Sequence, residues 1–312
     1  MAAGSYHTPV LAAETLEHLR PSGEGLFLDG TVGGGGHSLL LLERCPLCRL
    51  LAVDRDPDAI EAARAALAGH RDRVRFLTAL FVQAADDAEV RARGLDGALL
   101  DLGISSRQVD DAGRGFTFRA GAPLDMRMGQ GRDEGVPSAA DLLNTASDSE
   151  LARIFHDYGE EPRARRVARA IVRAREAEPL RVSEDLVECL ARGLGRSPSN
   201  QDRARLFQAV RIAVNEELDL LGRALPAIRE VLNGGAVLVV IAYHSLEDRI
   251  VKTAFREWSR SCVCPPELPV CRCRGRALGT TLTRRPVRPS ADETRQNPRA
   301  RSARLRAWRK AA

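Results

Sequence analysis

DGTVGGGGHS, Asp29 to Ser38, follows the apolar run LFLD and leads into LLLLER. A glycine-rich turn between a strand and a helix is the ligand-binding corner of a doubly wound α/β sheet. Dinucleotide-binding versions of that corner hold a pyrophosphate against the turn. Here a carboxylate occupies the strand end, and two negative groups ~4–6 Å apart at protein-like dielectric repel by more than a kcal/mol. The dehydrogenase fingerprint also fails in detail, because Gly33-x-Gly35 is followed by Ser38 where Gly or Ala belongs. No Gly-Lys-Ser/Thr follows, which excludes a triphosphate loop. The turn is suited to a positively charged ligand.

Working outward, short aliphatic runs alternate with helical patterns. LFLD (Leu26 to Asp29), LLAVD (Leu50 to Asp54), VRFL (Val74 to Leu77) and GALLDL (Gly97 to Leu102) read as buried parallel strands. A fifth, AVLVVIAY (Ala236 to Tyr243), follows a long helix expected to stop at Asn233-Gly234-Gly235. Asp56-Pro57 opens a helix, with proline in its first turn. The fold class is α/β, a doubly wound, mostly parallel Rossmann-like sheet. From Val109 to Arg205 the rhythm breaks into loops and helices, which predicts an all-helical insert at 109–205 between sheet segments 1–108 and 206–312. In EPRARRVARAIVRAR, Arg166, Arg169 and Arg173 share one helix face and Val167 and Ile171 another, so these arginines read as a solvated face.

With 312 residues and 44% hydrophobic content, the chain can bury one large core, or a core plus an insert. There is no run of about 18 apolar residues to span a membrane. The N-terminal stretch lacks an apolar signal core and carries Glu14 and Glu17, so a cytoplasmic protein is expected. The net charge of +5 is uneven: from Arg272 to Ala312 there are 13 Arg and Lys against 2 Asp and Glu. An acidic body with a basic C-terminal segment points to a nucleic-acid partner. Lys252 and Lys310 are the only lysines, so the preference for Arg is as much genomic base composition as phosphate recognition.

Ligands of doubly wound sheets sit beyond the carboxyl ends of the strands. Asp29, Asp54 and Asp101 end the first, second and fourth predicted strands. One strand-end Asp is usually a cap and one glycine cluster a tight turn; three acids on one sheet edge favour a site. S-adenosylmethionine fits, having no phosphate and both an ammonium and a sulfonium. Gly33, Gly35 and Gly36 let backbone approach it, Asp29 meets its positive charge, and Asp54 is placed for both ribose hydroxyls. Asp101 would lie near the adenine or the methionyl amine.

HTPVL (His7 to Leu11), DGTVGGGGHS, AVDRDPDAI, DGALLDLGISSRQVDD, PLDMRM (Pro123 to Met128), YGEE (Tyr158 to Glu161), FQAVRIAVNEEL, YHSLEDRIVK and NPRARSARLR resemble, in order, the motifs of the bacterial MraW/RsmH family. The resemblance spans nearly the whole chain. It implies a class I methyltransferase sheet with a helical insert, S-adenosylmethionine as cofactor, and methylation of N4 of cytosine 1402 in 16S rRNA of the small ribosomal subunit. Carried over by position, it implies cofactor contacts from Gly35, Gly36, His37, Asp54, Phe81, Asp101 and Gln108. The sequence departs from the family pattern at Tyr243, where many members have Phe, and at Gly34.

The N4 lone pair of cytosine is delocalised, so its methylation needs acceptors that hold the N–H bonds, with nitrogen, methyl and sulfur in line. The flipped base enters a pocket. The loop Asp101-Leu-Gly-Ile-Ser105-Ser106 is the candidate to grip the amine. His244 is the candidate to touch the base or take the proton, and Ser245 with Asp248 reads as the cap of the next helix. Asp125, Arg127, Asn297, Arg299 and Arg301 are expected to position substrate, with Trp308 a stacking surface. Of seven cysteines, Cys262, Cys264, Cys271 and Cys273 could close a tetrahedral zinc site, although C-x-C is less usual than C-x-x-C. No metal is expected in the chemistry. Cys45 and Cys48 form a separate C-x-x-C, expected to be reduced. A homodimer stays open. The rival readings are a ribosome-assembly factor that keeps the fold without turnover, a methyltransferase of a non-RNA substrate, and an NAD-dependent oxidoreductase, which the carboxylate argument disfavours.

Overall fold

The computed structural model describes residues 9–129, 135–264, 270 and 272–312, with Ser106 described in its backbone only. His7, Thr8 and Cys271 lie outside the described residues. Seven strands form one sheet: β1 (Leu26–Asp29), β2 (Arg49–Asp54), β3 (Val74–Thr78), β4 (Leu95–Asp101), β5 (Leu232–Ala242), β6 (Gly279–Thr281) and β7 (Arg304–Lys310). Their order is β3-β2-β1-β4-β5-β7-β6. β1 to β5 run parallel, while β7 is antiparallel to both β5 and β6. This is the class I methyltransferase sheet. Alternate residues feed opposite faces: Leu28, Leu51, Leu100 and Val240 meet Leu225, Ile228 and Phe255, while Phe27, Leu50, Leu99 and Val239 meet Leu42, Ala63 and Leu67.

The strand after the long helix is longer than its sequence suggests. The helix Glu217–Val231 ends before Asn233-Gly234-Gly235, which lies inside β5 rather than capping the helix. Leu95 pairs with Leu232 and Gly97 with Val237, so the intervening β5 residues bulge out of register. Gly235 takes φ 83° there, and Asn233 Nδ2 donates to Asp96 Oδ1 at 3.0 Å.

β7 corrects two further expectations. RLRAWRK is an internal strand between β5 and β6, and Trp308 is fully buried against Phe255 and Trp258, so it offers nucleic acid no stacking surface. Arg306 is buried and makes a bidentate pair with Asp248 at 2.6 and 3.1 Å. Part of the basic segment is therefore structural; Arg284, Arg285, Arg288, Arg299 and Arg301 are among its exposed members.

The chain divides into two compact units. One runs to Gly103 and resumes at Leu218; the other is Ile104–Glu217. The insert is thus wider than 109–205. Leu206, Phe207, Val210 and Val214 of the helix Asn200–Asn215 belong to the insert's own core, with Leu151, Phe155 and Leu190. In the helix Ala164–Ala177, Val167 and Ile171 are fully buried and Arg166, Arg169 and Arg173 are exposed. Each such apolar side chain contributes about 1.5–3 kcal/mol.

Candidate functional site

β2, β1 and β4 are neighbours, so their carboxyl ends set Asp54, Asp29 and Asp101 side by side. Asp29 pairs in register with Ala52 and Leu99, and the other two acids therefore extend two residues beyond it. The turn after β1 is tied into this edge. Gly33, at φ 51°, donates its N–H to Asp54 Oδ2 at 2.9 Å. Gly35, at φ 83°, is the N-cap of the helix Gly36–Arg44, a left-handed conformation that favours glycine. That helix has no side-chain cap, so its first N–H groups face the corner without one.

Each acid has hydrogen-bond donors. Asp29 is buried, accepting from Ser38 Oγ at 2.6 Å and from the Thr31 N–H at 3.2 Å. Ser38, the residue that spoils the dinucleotide fingerprint, is what holds this carboxylate. Asp54 Oδ1 accepts from the Asp56 N–H at 2.9 Å. Asp101 Oδ1 accepts from the Tyr243 hydroxyl at 2.9 Å, and Oδ2 lies 3.7 Å from His37 Nδ1. His37 Nε2 donates to the Val10 carbonyl at 2.9 Å, which leaves Nδ1 bare on the Asp101 side.

Among the described residues, no Lys or Arg makes an ion pair with any of the three acids. Desolvation therefore dominates their titration. It pushes Asp101 up to about 7, against the Tyr243 hydrogen bond, and Asp54 up to about 6, against its two backbone donors. Burial also raises Asp29, opposed by Ser38, and lowers His37, which stays neutral. Burial and the Asp101 charge hold the Tyr243 phenol well above its ordinary range. Phe81 is half-buried next to Gly30, where a Cβ would come 3.2 Å from Phe81 Cβ and 2.6 Å from Leu100 Cδ2.

The helix Ser245–Trp258 is capped one residue earlier than expected. His244, not Ser245, is its N-cap: Nδ1 accepts the Glu247 N–H at 3.4 Å, and Glu247 Oε2 accepts the His244 N–H at 3.3 Å. Asp248 is drawn off to Arg306. His244 Nε2 is buried, 3.3 Å from Glu247 Oε1 but outside hydrogen-bond geometry, and has no hydrogen-bond partner among the described residues.

Five predicted residues, Ser105, Ser106, Gln108, Asp125 and Arg127, belong to the inserted unit. Ser105 and Gln108 form a capping box, with the Gln108 N–H to Ser105 Oγ at 3.2 Å and the Ser105 N–H to Gln108 Oε1 at 2.8 Å. Asp125 and Arg127 pair through Nη2 at 2.7 Å. Between them Met126 is buried at φ 60°, a strained position for a non-glycine residue. Buried Asn215 clamps it, Nδ2 donating to the Met126 carbonyl at 2.7 Å and Oδ1 accepting the Met128 N–H at 2.9 Å. Sequence reasoning missed Asn215, although it lies within FQAVRIAVNEEL. In the sheet unit, Asn297 Oδ1 caps the short helical turn Pro298–Ser302 by accepting the Arg299 N–H at 3.2 Å, and Arg299 and Arg301 are exposed on that turn.

Cys45 and Cys48 are joined by a disulfide, against the expectation of reduced thiols. The helix Gly36–Arg44 ends at Cys45, and the chain turns so that the two Cα atoms stand 5.4 Å apart, within bridging range. A depression of about 690 Å³ lined by Leu19, Phe27, Asp96 and Arg309 opens at the other edge of the sheet, away from the three acids.

The description of the MraW methylase family matches residues 4–311. The ribosomal RNA small subunit methyltransferase H of Gemmatimonas aurantiaca is 52% identical, over 99% of this chain and 96% of its own length. Proteins of the same name from Heliobacterium modesticaldum and Anaeromyxobacter dehalogenans are 47% and 48% identical, covering 98% and 99% of both chains. The order of motifs, the sheet with its inserted unit and these matches lead to one statement: the chain belongs to the MraW methylase family.

Proposed function

We propose that the protein is an S-adenosylmethionine-dependent ribosomal RNA methyltransferase that methylates N4 of a cytosine in 16S rRNA, the family target being cytosine 1402. The observation that carries the cofactor is the row of three carboxylates, Asp29 buried and Asp54 and Asp101 half-buried, none in an ion pair with Lys or Arg among the described residues. Buried carboxylates are costly unless a positive group joins them. S-adenosylmethionine, the cofactor of the family, supplies an electrophilic methyl on a sulfonium. Asp54 is placed to accept from the ribose hydroxyls, Asp29 and Asp101 to balance positive charge, and the uncapped N-terminus of Gly36–Arg44 to receive the carboxylate. Phe81 is the candidate wall for the adenine.

On the substrate side, the His244 contact through Nδ1 puts the ring proton on Nε2. His244 is then a donor to the cytosine O2 carbonyl or to ring N3 rather than a base. Asp101, whose carboxyl titrates near neutrality, is the candidate to accept the N4 proton. Ser105 and Ser106 follow it in the chain as candidates to hold the amine, and Gln108 is a candidate cofactor contact. Asp125, Arg127, Asn297, Arg299 and Arg301 are candidates to position RNA, phosphate contact being the natural use of the exposed arginines. The names of the relatives support the small-subunit substrate, and a cytoplasmic location follows from it. Mass mapping of 16S rRNA from cells lacking the gene and from complemented cells tests the reading. Loss of one methyl at a single cytosine, restored by complementation, is expected; an unchanged methylation map refutes it.

A further inference from the structure

Between the helix Ser245–Trp258 and β6 lies a stretch that forms neither helix nor strand among its described residues. Loops of this length need something to offset their ordering entropy. Its base is closed by backbone contacts: the Leu278 N–H meets the Trp258 carbonyl at 2.8 Å, and Arg274 Nη2 reaches the carbonyls of Glu257 and Arg260 at 2.6 and 3.0 Å. Its tip is built from sulfur. The Sγ atoms of Cys262, Cys264 and Cys273 all lie within 4.8 Å of one another, on a half-buried to exposed surface.

We propose that this cluster is a structural thiolate site for zinc, independent of the methyl-transfer chemistry. Two observations carry it. First, Cys262 and Cys273 Sγ stand 3.9 Å apart; a tetrahedral zinc with Zn–S near 2.3 Å requires sulfurs about 3.8 Å apart. The separation is too long for a disulfide, and these cysteines are not bonded to one another as Cys45 and Cys48 are. Second, the two arms exchange N–H···S contacts. The Val263 N–H, between the first two cysteines, donates to Cys273 Sγ at 3.3 Å. The Arg272 N–H, just before the third, donates to Cys264 Sγ at 3.3 Å. Hydrogen bonds to sulfur favour the charged form of the ligand and fix its direction.

On binding, each thiol gives its proton to solvent and an Sγ–metal bond forms, with no change of oxidation state. The sequence carries a fourth thiol at Cys271, two residues before Cys273. The metal pins the two arms together, and so holds the segment that leads into β6. Arg260, Arg272 and Arg276 flank the cluster as exposed cations that balance a negatively charged metal–thiolate centre.

The test uses the full chain, purified in reductant without added metal or chelator. Elemental analysis is expected to give one zinc per chain. Cobalt(II) loaded in its place should show the charge-transfer and visible bands of tetrahedral thiolate coordination. C264S should lose the zinc, while C189A, which alters a buried cysteine of the insert, keeps it. The cobalt spectrum is read on the unmodified chain, so it decides the matter even if C264S fails to fold. Zinc below about a tenth per chain with no thiolate–cobalt spectrum overturns the proposal, as does an intact mass that shows a disulfide among these cysteines in reductant. Metal content is independent of turnover, so neither result depends on the proposed methylation.

Discussion

Cofactor affinity should fall steeply with acid, by an amount the structure sets. In the free protein Asp101 titrates near 7 and Asp54 near 6, both raised chiefly by burial. The ligand's positive charge favours Asp101 as a carboxylate and its ribose hydroxyls favour Asp54 as one, so below those values binding must first remove protons. At pH 5.5, ionising Asp101 costs about 2 kcal/mol at 1.36 kcal/mol per unit, and Asp54 adds about 1 kcal/mol. Together the Kd for S-adenosylmethionine should rise about a hundredfold between pH 8 and pH 5.5 if both acids are ionised in the complex. The sign is fixed: affinity is fully present above about pH 7 and is lost as pH falls through the free-protein values. Isothermal titration calorimetry across that range, in buffers of different ionisation enthalpy, reads both the Kd and the protons released. A Kd that changes less than about threefold, with no proton release at pH 5.5, refutes the reading of these acids as cofactor contacts.

Tyr243→Phe removes the hydroxyl that lowers the Asp101 pKa, so the acid side of the same binding curve should move to higher pH, as calorimetry would show. Asp54→Asn should weaken cofactor binding by about 1.5–3 kcal/mol, the worth of hydrogen bonds to a charged acceptor; unchanged Kd in a folded variant removes Asp54 from the site. His244→Asn keeps an N-cap acceptor but removes the buried Nε2, so turnover on small-subunit particles should drop while cofactor Kd holds; equal turnover would discharge His244 from the chemistry. Asp248→Asn leaves buried Arg306 without its charge partner and should cost about 3–5 kcal/mol in urea unfolding.

The parallel half of the sheet was legible because its strands are buried on both faces and spell continuous aliphatic runs. LFLD is the residue-for-residue extent of β1, and the three acids fall at the strand ends that put them in one row. What the sequence hid has physical causes. RLRAWRK reads as a charged tail, because its buried Arg306 is legible only once Asp248 is known to face it. The Asn233-Gly234-Gly235 stretch reads as a helix stop, while a bulge opposite Leu95 and Gly97 needs the partner strand to be seen. Ser245 is a stronger cap by residue type than His244; the ring wins because Asp248, the other half of that box, is already engaged. The roles of Asn215 and Ser38 arise from contacts with backbone or side chains that no spacing encodes.

The position of β7 has a consequence for synthesis. β7 follows β6 in the chain but lies between β5 and β6 in the sheet. A growing polypeptide therefore emerges with the hydrogen-bonding side of β5 open, an edge long and apolar enough to attract other nascent chains. RLRAWRK closes it once made, with Arg306 delivering its charge to Asp248 in the same step. Deleting Arg304–Lys310 would thus leave a protein whose main hazard is aggregation through the open side of β5.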